Sequence, residues 1–236
     1  MKTHIIIQAR LGSKRLPEKV LKPIGRYNSL ELIHKRVSKC KMVDGIFFAI
    51  PSSKDNIKLK NFISNKINSK IFLGSEKNVL NRYYLAAKKF KSDIIVRITG
   101  DCPLVDSSMI DKFIRVLKKD KLDYVYNGSP HTYPDGLDVE VFTFHAIKTA
   151  NKYAHKSIQK EGVTRYFRDN LKEFKTKHIK CPFENLSKLR ITLDEESDLE
   201  VVRNIYKYFD PKINFNWKSV VKLFLKKPQI FKKNSH

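Results

Sequence analysis

The apolar positions of this chain switch repeatedly between two spacings. Short β-rich runs at residues 3–8, 45–51, 69–73, 93–99 and 122–126 are separated by stretches with helical spacing at 29–40, 54–65, 79–90 and 107–119. In the first of these helices Leu30, Ile33 and Val37 fall on one face behind Ser29, a candidate N-cap. In the third, Val79, Tyr83, Ala86, Ala87 and Phe90 form the stripe, and the helix at 107–119 opens on a serine cap. Strands that alternate with helices predict a mostly parallel sheet covered on both faces, the α/β class.

The second half is less regular. Residues 138–144 alternate as a strand, 145–153 and 157–170 read as helices, 173–181 as an edge or hairpin strand, and 189–193 as a further strand. An amphipathic helix follows at 195–209, with acidic residues in its first turn where the helix dipole favours them. A last helix at 216–225 leads into a basic end expected to fray. The pattern contains no repeat and no internal linker, so one domain is expected over residues 1–226, with a basic tail at 227–236.

Composition narrows this picture. With 236 residues and 41% hydrophobic side chains the chain can bury a sizeable core. No apolar run approaches the roughly 18 residues of a membrane span, and the short apolar stretch at the start does not read as a secretory leader. Three widely spaced cysteines, Cys40, Cys102 and Cys181, form neither a disulfide framework nor a zinc pattern, so a cytoplasmic setting is expected. The net charge of +24 raises the question of nucleic acid, but the cations are 37 lysines scattered along the chain and only 11 arginines. Phosphate and base recognition lean on the arginine fork, so neither a nucleic-acid nor a membrane partner is expected. The retained arginines are the ones to follow.

Ligands of open parallel sheets bind beyond the carboxyl ends of the strands, near the point where strand order reverses. The loop after the first strand holds Arg10, Gly12, Ser13, Lys14, Arg15 and Lys19 within ten residues. Backbone amides near Gly12 together with these cations suit an anion, although a solvated basic turn has the same composition. Asp101 follows the strand at 93–99 between Gly100 and Pro103, placed to hold Mg²⁺ or to cap the next turn. Asp194 repeats the arrangement after 189–193, with helix capping as its alternative. Asp135, Asp138 and Glu140 surround Gly136, and alternation puts the last two on one face of a strand.

Five ordered blocks carry a resemblance. Residues 7–21 (IQARLGSKRLPEKVL), 74–83 (GSEKNVLNRY), 96–104 (VRITGDCPL), 133–142 (YPDGLDVEVF) and 189–199 (LRITLDEESDL) are similar to motifs of the cytidylyltransferase family. They lie nearest its spore-coat polysaccharide SpsF-like branch, related to the synthetases of CMP-activated 3-deoxy-manno-octulosonate and acylneuraminates. The resemblance spans about residues 4–209. It implies a nucleotide-diphospho-sugar transferase fold (GT-A-like, Rossmann-like) and transfer of CMP from CTP to a sugar or sugar acid, with pyrophosphate released. It also implies a homodimer.

By the family pattern, the backbone of Ala9, Arg10, Leu11, Gly12 and Ser13 and the Arg10 side chain hold the nucleotide, while Arg15 and Lys19 meet the triphosphate. Asp101 and Asp194 match metal-binding carboxylates, implying Mg²⁺, and Arg82 and Arg97 match positions near the nucleotide. Arg10, Lys19 and Asp101 are the catalytic candidates; Asp135, Asp138 and Glu140 are candidates for the acceptor, with Asp138 or Glu140 orienting or deprotonating its hydroxyl. Two positions depart from the pattern: Gly162 stands where a histidine is common, and Asn81 where an aspartate is usual. His34 and His155 fall on predicted helices, where packing or surface roles are expected. The competing readings are a GT-A-like glycosyltransferase using a nucleotide-sugar, and a basic nucleic-acid or scaffold protein. The first usually shows Asp-X-Asp where this chain has Gly100-Asp101-Cys102.

Overall fold

The computed structural model describes residues 1–183 and 186–234. Its strands are β1 (Thr3–Gln8), β2 (Pro23–Ile24), β3 (Tyr27–Asn28), β4 (Gly45–Pro51), β5 (Lys70–Gly74), β6 (Ile94–Thr99), β7 (Tyr124–Tyr126), β8 (Glu140–Thr143) and β9 (Thr176–His178). Its helices are α1 (Ser29–Val37), α2 (Ile57–Phe62), α3 (Val79–Lys89), α4 (Ser107–Lys119), α5 (Phe144–Tyr153), α6 (Ser157–Glu161), α7 (Arg165–Asp169), α8 (Glu196–Phe209) and α9 (Trp217–Lys226).

Seven strands form one sheet in the order β5-β4-β1-β6-β8-β7-β9, and β2 and β3 form a small hairpin. β1 pairs in parallel with both β4 and β6, β4 with β5, and β7 with β9. Only β8 runs against its neighbours β6 and β7. The sheet is therefore mostly parallel, as the alternation predicts. Within β1 the period of two divides the core: Ile5 and Ile7 pack beneath α1, α4, α8 and α9, while Ile6 faces the cluster built by α3, α5 and α7. The chain crosses from β5 back over β1 to β6, so the strand order reverses at β1. The loops leaving β1 and β6 lie side by side there.

Several local expectations are corrected. The cap of α1 is Asn28, in a capping box with Glu31, and Ser29 instead donates its hydroxyl to the Gly100 carbonyl at 2.6 Å. Asp106, not a serine, caps α4 by accepting from the Ser108 and Met109 amides. The helix expected at 157–170 is broken at Gly162 into α6 and α7. Residues 189–193 form no strand. They make a single bridge, Arg190 to Asp135, and then turn away: the Leu193 amide bonds the Asp101 carbonyl and the Leu189 amide the Leu186 carbonyl. Gly136, at φ +106°, permits that approach: a Cβ there would sit 2.6 Å from the Thr192 nitrogen.

The C-terminal end does not fray over its described part. Phe231 is 1% exposed, packs edge-on against Phe224, and belongs to the core beneath α8 and α9.

Arg36, 3% exposed on α1, ties two loops together. Its guanidinium donates to the carbonyls of Val105 (2.8 Å), Leu104 (3.2 Å), Phe215 (2.8 Å) and Ile213, and stacks on the Phe215 ring. Burial lowers its pKa to about 10, with the Asp106 carboxylate opposing the shift only in part. Replacing Arg36 with Met keeps most of the volume but leaves those carbonyls unpaired. We expect a loss of at least about 3 kcal/mol, read as a lowered urea midpoint with an unchanged slope.

Candidate active site

The loop after β1 is held from below by Leu11, Leu16 and Val20, all buried in the core. Glu18 takes a left-handed conformation (φ 54°) and starts the turn at Lys19–Leu21. Because the flanking residues are anchored, Lys19 projects across the sheet end with its side chain only 14% exposed. Its Nζ lies 2.8 Å from Asp101 Oδ2 and 2.9 Å from Asp194 Oδ1. Two carboxylates far apart in the chain thus meet at one cation.

Backbone bonds fix this meeting. The Asp101 carbonyl accepts from the Leu193 amide (2.9 Å) and from Thr192 Oγ1 (3.2 Å), so Asp194 begins one residue beyond a clamp on Asp101 itself. Neither aspartate spends its carboxylate on a helix cap: Asp106 serves α4, and α8 is capped by Glu195 with Asp198. Burial acts to raise the Asp101 carboxyl, but Lys19 outweighs it and holds the group below the usual range. Burial likewise acts to lower the Lys19 ammonium, and Asp101 and Asp194 together raise it.

Arg15 reaches Asp194 at 3.2 Å and Glu195 at 3.0 Å from the exposed side. Arg190, quoted within a motif but given no role by sequence reasoning, is the hub of the acidic side. It bonds Asp135 at 2.7 Å and Asp198 at 3.1 Å, and lies 3.5 Å from Asp194. An arginine four residues before an aspartate, at a strand-like segment end, was the available signal. Burial pushes the Asp135 carboxyl up, with Arg190 opposing.

The expected nucleotide loop is only partly free. The Leu11 amide donates to Asn56 Oδ1 at 3.0 Å, and the Ser13 amide to the Leu11 carbonyl, so neither is open to a ligand in this arrangement. Gly12 faces open space beside Glu76, the nearest atom to a hypothetical Cβ at 3.8 Å. Asn56 and Glu76 escaped the sequence reading because their contacts cross between loops. Arg82, 1% exposed on α3, donates to the Ser75 carbonyl and leaves its Nε without a partner. Arg10 lies near enough to oppose its charge. Gln8 Oε1, at the end of β1, is also buried and unpartnered.

The acceptor candidates separate. Asp138 lies 3.3 Å from His131 Nδ1, and this bond raises the histidine pKa. Asp135 belongs to Arg190. Glu140 is buried on β8, ion-paired with Arg97 and Arg168 and bonded by the Tyr124 hydroxyl, so its carboxylate is already engaged within the protein. The same pair engages the Arg97 Nη1, opposite Glu140 across the β6–β8 ladder, while its Nε is buried without a partner. Asn81 also faces elsewhere, donating to Asn151 Oδ1 at 3.1 Å and clasping α3 to α5. Burial pushes the Cys102 thiol far up, so it is no nucleophile.

The donor set at Lys19 fits a hard divalent cation: carboxylate oxygens from Asp101 and Asp194 already converge on a positive charge. Among the described residues no group of three or more His, Cys, Asp or Glu side chains could hold a metal ion by itself.

Residues 4–231 match the cytidylyltransferase family. The chain belongs to that family. A Methanocaldococcus jannaschii protein, the uncharacterised MJ1063, is 39% identical over 238 residues, spanning 100% of this chain and 96% of its own length. The spore coat polysaccharide biosynthesis protein SpsF of Bacillus subtilis is 30% identical over 211 residues, 85% of each. The structure of a cytidylyltransferase from Leptospira borgpetersenii superposes with a TM-score of 0.92 at 29% identity, covering 98% of this chain and 97% of that one. Membership separates this cytidylyltransferase-family chain from glycosyltransferases and from basic binding proteins. Among its described residues no helix is long and apolar enough to cross a membrane.

Lys19→Met leaves two carboxylates facing each other. In chelator-treated wild type, Asp101 has a depressed pKa, so its contribution is present above about 3.8 and fades as pH falls through the depressed value. In the variant, burial and repulsion raise Asp101 instead, so protonation relieves the site. Thermal unfolding between pH 7 and 5 should show the variant gaining stability on acidification while the wild type does not.

Proposed function

We propose that this protein transfers CMP from CTP to a sugar or sugar acid and releases pyrophosphate, supplying an activated sugar for surface-glycan synthesis. The observation that carries the reading is the convergence of Asp101 and Asp194 on Lys19 at the switch point of a cytidylyltransferase-family sheet. The glycan context is supported by the name of the SpsF relative.

The transfer forms a bond from an acceptor oxygen to the α-phosphorus and breaks the bond to the β-phosphate. Negative charge builds on the phosphoryl oxygens and on the departing pyrophosphate, so catalysis is mainly positioning and charge stabilisation. Asp101 and Asp194 would hold Mg²⁺, which would supply neutralisation of that charge. The Lys19 ammonium, at the same point, is placed to donate to a phosphate oxygen. Arg10 and the open backbone at Gly12 line the approach of the triphosphate, and Arg15 lies at its outer edge. The unpartnered Gln8 Oε1 and Arg82 Nε, an acceptor and a donor, await a polar ligand. On the acceptor side, Asp138 and its partner His131 form the pair able to orient the attacking hydroxyl and take its proton.

A pyrophosphate-release screen of the four nucleoside triphosphates against keto-sugar acids and sugar phosphates tests this directly. Turnover with CTP is expected; release of free nucleoside diphosphate from a nucleotide-sugar would overturn it. In the productive pairing, Asp101→Ala should lower turnover by about three orders of magnitude with the fold retained, and Lys19→Ala by about a hundredfold. Circular dichroism of each variant separates lost chemistry from lost structure.

A further inference from the structure

The 3₁₀ segment Pro228–Asn234 ends on a side chain that the reaction scheme does not use. Asn234 is buried, and its Nδ2 donates to Asp198 Oδ1 at 2.9 Å and to the Arg190 carbonyl at 3.2 Å. Asp198 is in turn the residue that holds Asp194. Its Oδ2 accepts from the amides of Asp194 (3.0 Å) and Glu195 (3.1 Å) and from Arg190 Nη2 (3.1 Å). Arg190 extends the same nitrogen toward Asp194 Oδ2 at 3.5 Å.

Asp198 is 2% exposed, so each of its oxygens must be satisfied from within the protein. Oδ2 is filled by the backbone of the turn that carries Asp194. Oδ1 receives Arg190 Nε at a long 3.3 Å and Asn234 at a good 2.9 Å. Burial acts to raise this carboxyl, and the hydrogen bonds from Arg190 and Asn234 outweigh it and keep it ionised. The segment itself has little freedom: Phe231 is locked in the core and Lys233 pairs with Glu200.

We propose that Asn234 is a positioning residue for the metal site: through Asp198 it fixes the backbone and the carboxylate direction of Asp194. The inference rests on the reading that Asp101 and Asp194 hold the divalent cation. A group that orients a metal ligand from outside the coordination shell characteristically changes metal affinity by 10- to 100-fold when removed. A segment that only fills space changes thermal stability and leaves metal affinity alone.

The two roles are separable by calorimetric titration of CTP at a series of Mg²⁺ concentrations, which needs no acceptor. Asn234→Asp keeps the side-chain shape and replaces the donor with an acceptor; Asn234→Ala removes the bond without adding charge. For both we expect the Mg²⁺ concentration that half-saturates the gain in CTP affinity to rise about tenfold, with CTP affinity restored at high Mg²⁺. Lys233→Ala loosens the same segment without touching Asp198 and should leave that concentration unchanged. If the Asn234 variants lose only melting temperature and keep the wild-type Mg²⁺ dependence, the segment is packing and the proposal is overturned. A wild-type protein whose CTP binding ignores Mg²⁺, with Asp101→Asn behaving identically, would overturn the metal reading and this inference with it.

Discussion

Two carboxylates on one ammonium is the arrangement around which the rest of this molecule is organised. At an effective dielectric near 20, two unit charges about 5 Å apart repel by about 3 kcal/mol, so Asp101 and Asp194 would not stay together unaided. Lys19, with Arg15 and Arg190 on the Asp194 side, offsets that repulsion, and the bonds from Leu193 and Thr192 to the Asp101 carbonyl hold the two turns in place regardless of charge. The same logic explains why the loop carrying Lys19 is nailed to the core by Leu11, Leu16 and Val20: a long flexible cation is useful here only if its backbone does not wander.

The excess of positive charge proves a poor guide, and the arginines a good one. In a chain with 37 lysines, the 11 arginines recur where a planar fork is used. Arg36 spans four carbonyls, Arg190 joins Asp135 to Asp198, and Arg97 with Arg168 neutralises the buried Glu140. A lysine at any of these points would supply a point charge without the geometry. This is also why a buried arginine with an unpartnered nitrogen, Arg82, stands out among them.

Much of the fold was legible because period and burial coincide. The parallel strands β1, β4, β5 and β6, and helices α3, α4 and α8, carry patterns that local physics alone enforces, and the loops bearing Lys19 and Asp101 follow from the topology they create. What failed was decided at long range. Residues 189–193 read as a strand because they are apolar and β-branched, yet their hydrogen bonds go to the Asp135 and Asp101 loops. The helix caps shifted by one residue because Ser29 had a distant partner in Gly100. Glu140 looked like a neighbour of Asp138 by alternation, but Arg97, across a strand pair no local pattern reveals, drew it into the interior. The basic end looked solvated because its lysines mask the single Phe231 that anchors it.

Apart from the helix caps, these failures lie outside the central parallel strands, and that has a physical reason. The nucleotide half of the site stands on central parallel strands, whose spacing is fixed by ladder hydrogen bonds and a packed core on both faces. The half that would meet the acceptor is built from the segments at 127–138 and 189–194, which have almost no ladder of their own and are held by side chains: Asn127 on Leu137 and Val139, Arg190 on three carboxylates, Asn234 on Asp198. Such segments can change sequence without disturbing the sheet, because their constraints are few and individually replaceable. A scaffold divided in this way keeps one phosphate chemistry fixed while the partner molecule varies. Segments without a ladder must be fastened by distant residues, and here the fastening runs to residue 234.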